Sequence, residues 1–326
     1  MVTNTVNQVY SVEEKLKNAI KQNDIAKYEE IQRKYSGSLK LHSASTNITE
    51  NVLNTYFSED LYDLLVHGNY DTSGFEKIDE GIIESYRKYV EKELDVDLSK
   101  VDIFFIDDYF ETSDGWAMPC KENEHYIVLG ADLKTNFLSD DIVIHELGHT
   151  AEFCIRRNNL EGEAKLANYK IISETVAHYS QFKYLTTQSL DKRVSVLASI
   201  VQIAPLLEII KYCLSYGVKN WNIDDVVNSE NFKTLRKFYS REKLSFMIRP
   251  YSSMDIGSLY HIVVEPRLGS ILALSLLNNK DAIKSLCLAD TNKSLKVIFE
   301  DLGLNSNKLL DFSKADEILK RFIFQS

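Results

Sequence analysis

His145, Glu146 and His149 are the residues of this chain whose type and spacing most directly spell out chemistry. They stand in the run Ile142-Val143-Ile144-His145-Glu146-Leu147-Gly148-His149-Thr150. On a helix, 3.6 residues per turn set the two imidazoles one above the other, where both can grip one metal ion. Glu146 falls beside that pair but off its axis, placed to take a proton from water activated by the ion. The flanking Ile142, Val143, Ile144, Leu147, Ala151, Phe153 and Cys154 are small or apolar, so the helix is expected to be mostly buried. Two imidazoles and a carboxylate are costly to bury unless they are paired or hold a metal, and the pattern predicts zinc.

Catalytic zinc takes three protein ligands and leaves a fourth position for water. Glu174 is the best third ligand, because it opens a second helical pattern whose apolar body is Ile171, Ile172, Thr175, Val176, Tyr179 and Phe182. His178 lies one turn further on the same face, where it could hydrogen-bond a ligand from behind. Glu152, Glu161 and Glu163 are weaker alternatives. Glu152 is too near in sequence to turn back, and the other two lie in the polar stretch from Arg156 to Lys165.

His-Glu-Leu-Gly-His, a glutamate twenty-five residues past the second histidine and then an apolar helix resemble the gluzincin metallopeptidases. Within them the spacing is most similar to the thimet oligopeptidase and oligoendopeptidase F group, whose Glu-Val-Ala-Ser-type helix corresponds to Glu174-Thr175-Val176-Ala177-His178. The resemblance implies one zinc ion held by His145, His149 and Glu174, with Glu146 as general base. It also implies a downstream tyrosine-rich segment that helps stabilise the oxyanion. The matching stretch runs from Gly257 to Gly269 and keeps Tyr260 and His261, but has Ile, Val, Glu and Pro where most of the tyrosines are expected. Tyr260 and His261 are therefore the candidate donors to the substrate carbonyl, against the plainer reading of ordinary helix packing. The strong resemblance covers about forty residues and the weaker one about twenty more, in a chain shorter than typical members.

The elements that must position these residues follow from periodicity. The chain of 326 residues has 44% hydrophobic and 26% charged residues, a soluble globular profile. The first third reads as helical. Ser11-Val-Glu-Glu14 predicts a capping box, the Ser36-Gly37-Ser38 run a break, and two more helices follow over 49–66 and 75–94. Val101 to Ile106 and Tyr126 to Leu129 are β-branched and aromatic and predict strands, with a short edge strand after the turn at Ser113-Asp114-Gly115. An extended peptide can bind by adding itself to such an edge. Gly115, Trp116 and Ala117 are thus candidate substrate contacts, Trp116 reading equally well as a core aromatic. Helices are predicted over 192–216, 231–243 and 257–277, with three short pieces to the end. Arg249 and Arg267 could meet a substrate carboxylate, although an internal salt bridge is the simpler expectation.

The expected fold is mostly α with a small β-sheet (α+β), a helical N-terminal region 1–96 preceding a zincin-like catalytic region 97–326. The formal charge of −10 argues against nucleic acid or an anionic membrane as partner. Four scattered cysteines favour a reducing compartment, and the polar start lacks the features of a secretory leader, so the cytoplasm is expected. The expected function is a zinc peptidase acting on oligopeptides or on a dedicated protein or precursor. The alternatives are a zinc hydrolase of non-peptide amides and a catalytically silent binding protein.

Overall fold

The computed structural model describes residues 2–35, 49–67, 80–107, 115–131, 140–167 and 169–324. It is mostly helical with one three-stranded sheet, as the sequence predicts. The described residues fall into two compact units. One lies within 1–44, 74–184 and 276–294, and the other within 45–73, 185–275 and 295–326. The boundary expected near residue 97 falls inside the first of them.

The first unit begins with α1 (Val2–Lys21) and α2 (Ile25–Tyr35). Ser11 stands in the middle of α1, so the predicted capping box is not a helix start. Between α1 and α2 the chain turns at Asn23, whose φ of 54° is a left-handed conformation that Asn tolerates. Val12, Leu16, Ala19 and Ile20 recur at helical spacing and pack with Tyr28 against Ile106, Tyr126 and Val128. After α3 (Glu80–Leu94) come β1 (Asp102–Asp107), β2 (Gly115–Met118) and β3 (Tyr126–Ala131), in the order β1-β3-β2. The predicted start of α3 at 75–79 and the break at 36–38 lie outside the described residues. β1 runs parallel to β3, and β2 runs antiparallel to it with Ala117 opposite Ile127. Among the described residues β2 is therefore a sheet edge.

The chemistry-bearing segments become α4 (Asp140–Asn159) and α5 (Lys170–Leu185), followed within this unit by α6 (Lys280–Cys287). Asp140 and Asp141 in the first turn of α4 and Arg156 and Arg157 in its last both oppose the helix dipole favourably. Val143, Ile144, Leu147, Val176 and Ala177 are wholly buried. Burial of each of the larger ones stabilises by roughly 1.5–3 kcal/mol. The buried first-turn carboxylates are satisfied by α5, since Tyr184 donates to Asp140 at 2.6 Å and Gln181 to Asp141 at 2.7 Å.

At its other end α4 is tied to α1 by an ion pair that the sequence did not announce. Both Arg157 Nη atoms donate to Glu13, at 2.8 and 2.7 Å, and the two side chains are only 2% and 4% exposed. Removing one partner strands a buried charge, so Glu13→Gln should cost about 3–5 kcal/mol in denaturant unfolding. Glu13→Met combined with Arg157→Leu should recover most of that loss.

In the second unit the helix predicted over 49–66 is divided into Glu50–Leu53, Glu59–Tyr62 and a π-helical turn Asp63–His67. Thr49 and Ser58 cap the first two. The prediction for 231–243 also fails. Glu230–Phe232 and Leu235–Lys237 are short 3-10 turns, and a helix starts only at Arg241 behind the Ser240 cap. Arg236 donates to the Val227 and Ser229 carbonyls, at the C-terminal end of the preceding helix Ile223–Asn228. The apolar run 190–216 has the length and hydropathy of a membrane span, but it is broken by the 3-10 turn Ile200–Gln202 and supplies buried core residues. The segment after 276 holds four helices rather than three pieces: α6 in the first unit and three in the second, Leu295–Asp301, Ser306–Leu309 and Ala315–Phe324.

Candidate metal centre

α4 and α5 cross where neither carries a bulky side chain. A Cβ at Gly148 would lie 2.7 Å from the Ala177 Cα and 3.2 Å from the Ala177 carbonyl oxygen, so only glycine fits. That close approach brings the donor faces of the two helices together. His145 Nε2 and His149 Nε2 are 3.2 Å apart. Glu174 offers Oε2 to His145 at 3.5 Å and Oε1 to His149 at 3.8 Å.

These distances suit a common ion. Zinc bonds of 2.0–2.2 Å at tetrahedral angles put donor atoms about 3.3–3.6 Å apart. The set of two imidazoles and one carboxylate is also chemically right for zinc. The structure thus brings Glu174 beside both imidazoles of α4. His178 joins the same cluster, its Nε2 being 3.8 Å from Glu174 Oε2 and its ring centroid 4.5 Å from that of His145.

Electrostatics agree with a site built for a cation. Burial pushes His149 down to about 4 and His178 down to about 3, so both are neutral, ligand-ready imidazoles at neutral pH. Burial would raise Glu174, but the neighbouring histidines outweigh it and hold the carboxylate down at about 2. Burial also opposes protonation of His145, yet its bond to Glu174 and the charges of Glu146 and Glu174 hold it above the ordinary imidazole range.

Glu146 is 7% exposed, and burial pushes its carboxyl up to about 7, against the lowering effect of His145 and of a backbone hydrogen bond from Ala117. β2 can come that close because residue 115 is glycine, where a Cβ would meet Leu129 Cδ2 at 2.9 Å and Glu146 Cγ at 3.0 Å. Gly115 and Ala117 therefore border the base directly. Trp116 is 38% exposed, which removes the core-aromatic alternative.

Four residues that the sequence reading did not select hold the imidazoles from behind. His149 Nδ1 is 2.9 Å from Ser173 Oγ, and Ser173 hydrogen-bonds Glu152 in turn. His178 Nδ1 is 2.8 Å from Gln181 Oε1, whose amide donates to Asp141. Sequence spacing offered a usable signal: Gln181 lies three residues past His178 and Asp141 four before His145, each on the inward face. Tyr260 and His261 belong to the second unit, in the π-helical turn Tyr260–Val264. Tyr260 is fully buried there, and His261 Nδ1 meets the Glu265 carboxylate at 3.2 Å. Arg267 donates to the Val263 carbonyl and the Tyr251 hydroxyl.

No protein-family model matches this sequence, and no curated protein sequence matches it. Among solved structures, one described as an oligoendopeptidase F from Bacillus anthracis str. Ames is similar over 93% of this chain, at 15% identity and a TM-score of 0.50. The chain spans 61% of that protein's length. A crystal structure of BsuCP is similar over 95% of this chain and 78% of its own, with 15% identity and a TM-score of 0.45. The first likeness shows that the fold is of the oligoendopeptidase F kind.

Proposed function

We propose that this chain is a zinc-dependent peptidase that hydrolyses peptide bonds in oligopeptides or in one dedicated protein or precursor peptide. The observation that carries this reading is the convergence of His145, His149 and Glu174 within 3.8 Å of one another, with the buried Glu146 beside them. The fold likeness to an oligoendopeptidase F supports it. Zinc held there would polarise the scissile carbonyl and make a bound water acidic. Glu146 Oε takes the proton of the attacking water and hands it to the leaving amine. The Ala117 N–H orients that carboxylate. Tyr260 and His261, the oxyanion donors that the sequence resemblance implies, are tested by Tyr260→Phe and His261→Gln.

An extended substrate would lie along β2, beside the base, with Trp116 against one of its side chains. Trp116→Ala should then raise KM roughly tenfold, the value of about 1.4 kcal/mol of lost contact, while kcat and thermal stability hold. Steady-state kinetics on a peptide substrate, with a melting curve beside them, check this. The four cysteines are free and buried, which suits a reducing compartment, and the cytoplasm is the proposed location. The test of the function is zinc quantification on purified protein followed by mass spectrometry of a peptide library. Cleavage by the wild type and none by Glu146→Gln is the expected result. Stoichiometric zinc with no difference between the two proteins would favour a silent binding protein.

A further inference from the structure

The second unit contains a cavity of about 420 Å³. Lys243, Phe246 and Met247 line it from one face of the helix Arg241–Ile248, at i, i+3 and i+4. Leu65 from the turn Asp63–His67 and Leu206 from the helix Ile203–Tyr216 add apolar wall. Arg267, from the helix Glu265–Ser275, adds a second cation. Small-molecule sites have volumes of about 300–1,000 Å³ and combine apolar walls with a few placed polar groups. We propose that this cavity binds a carboxylate carried on an apolar body, either a free acid or the C-terminal residue of a peptide. The site lies wholly within the second unit and binds its ligand whether or not the chain cuts peptides.

Charge selects the ligand. Among the described residues no Asp or Glu lines the cavity, and neither Lys243 nor Arg267 has a carboxylate partner. The internal salt bridge expected of Arg267 is thus not formed among them. Arg87 and Arg157 show how a guanidinium used for structure behaves in this chain. Arg87 Nη1 donates to two carbonyls at 2.6 and 2.8 Å, and Arg157 donates to Glu13 at 2.8 and 2.7 Å. Arg267 instead makes two long contacts, 3.3 Å to the Val263 carbonyl and 3.2 Å to the Tyr251 hydroxyl. A guanidinium offers five N–H donors in a planar fork, so most of this one is left for a ligand, and a carboxylate matches the fork.

Tyr251 points the same way. Its hydroxyl accepts from Arg267, which leaves its own proton to donate to the ligand. The guanidinium carbon lies 5.8 Å from the centre of the Tyr251 ring, a contact that helps to hold the fork in place. On the facing helix Lys243 lies 5.8 Å from the ring centre of Phe246, which is 67% exposed. A bare phenyl ring beside a cation suits a ligand whose apolar body ends in an anion. An uncharged ligand would cover both cations without neutralising either, which is costly.

The experiment titrates 4-phenylbutyrate and acetyl-Ala-Phe into the full chain, each beside its own neutral amide, with binding followed by ligand-observed NMR. A Kd of about 1 mM is expected for acids of this size, and each amide should bind at least about 10-fold more weakly. Arg267→Gln should weaken the acids by at least about 10-fold, and Lys243→Gln by about 3-fold with a shallower dependence on salt. Binding of the free acid alone or of the peptide alone upholds the site and names the source of its ligand. An amide that binds wild type as well as its acid does overturns the proposal, and this comparison needs no variant to fold. No saturation by either acid below about 20 mM overturns it too, as does wild-type affinity in Arg267→Gln. The titration is repeated after dialysis against a metal chelator. Binding that disappears with the metal would put the carboxylate on zinc and sink the cavity, while leaving the zinc reading intact.

Discussion

Glu146→Gln should lower kcat by about 10²–10⁴-fold while leaving zinc content unchanged, because the amide keeps the shape of the carboxylate but cannot accept the water proton. The same substitution has a second, oppositely signed consequence in the metal-free protein. Burial raises the folded-state value of Glu146 from 4.5 to about 7. The folded chain thus holds this proton more tightly than the unfolded one. The associated stability is fully present below pH 4.5 and is lost as pH rises through 7. Above that the ionised, buried carboxylate costs about 3 kcal/mol. Metal-free Glu146→Gln should therefore melt higher than metal-free wild type at pH 8, and the two should converge at pH 4. Activity runs the other way, since the base must be ionised: kcat should fall as pH drops and Glu146 takes up a proton. A variant that is both more stable and inactive would locate the strain of the site in this one carboxylate. Equal melting curves at pH 8 would remove that account.

The parts of the site that were legible in the sequence are those that local periodicity projects into space. His145, His149, Glu174 and His178 come in two i, i+4 pairs, and each pair occupies one helix face whatever the rest of the chain does. The β2 edge was legible for a similar reason, since a turn ahead of Trp116 between two β-branched runs leaves few topologies. What was lost depends on contacts distant in sequence or on neutral groups. Ser173 looks like an ordinary helix-surface residue until Glu152 is seen behind it. The Glu13–Arg157 pair spans more than a hundred residues and leaves no pattern. Ser11 misled because a serine followed by two glutamates caps a helix only where the chain before it is not already helical, and α1 begins at Val2. At 231–243 helical spacing was present, but the chain forms two 3-10 turns and the Ser240 cap starts the helix only at Arg241.

Gly148 joins the fold to the chemistry, and its substitution is expected to strike stability and metal binding together. Within His-Glu-Leu-Gly-His it reads as a filler position, and a helix interior would ordinarily gain about 1 kcal/mol from alanine there. The structure reverses the sign. The added Cβ would sit 2.7 Å from the Ala177 Cα, and the Ser180 hydroxyl at 3.1 Å offers no room on the other side. Backbone cannot swing aside as a flexible side chain can, so α4 and α5 must separate. Overpacking of this kind costs about 1–3 kcal/mol, and here the upper end is expected. Separation also widens the gaps between the α4 imidazoles and Glu174, now 3.5 and 3.8 Å, and a shift of a few tenths of an ångström is enough to spoil tetrahedral donor spacing. Gly148→Ala should thus lose stability and zinc together. Gly217→Ala is the matched control: its φ of 66° makes alanine cost about 1 kcal/mol, but nothing lies within 4 Å of the new methyl group. It should melt slightly lower and bind zinc as the wild type does. If Gly148→Ala were destabilised yet held zinc with unchanged affinity, the helix crossing would not be what sets the donor distances.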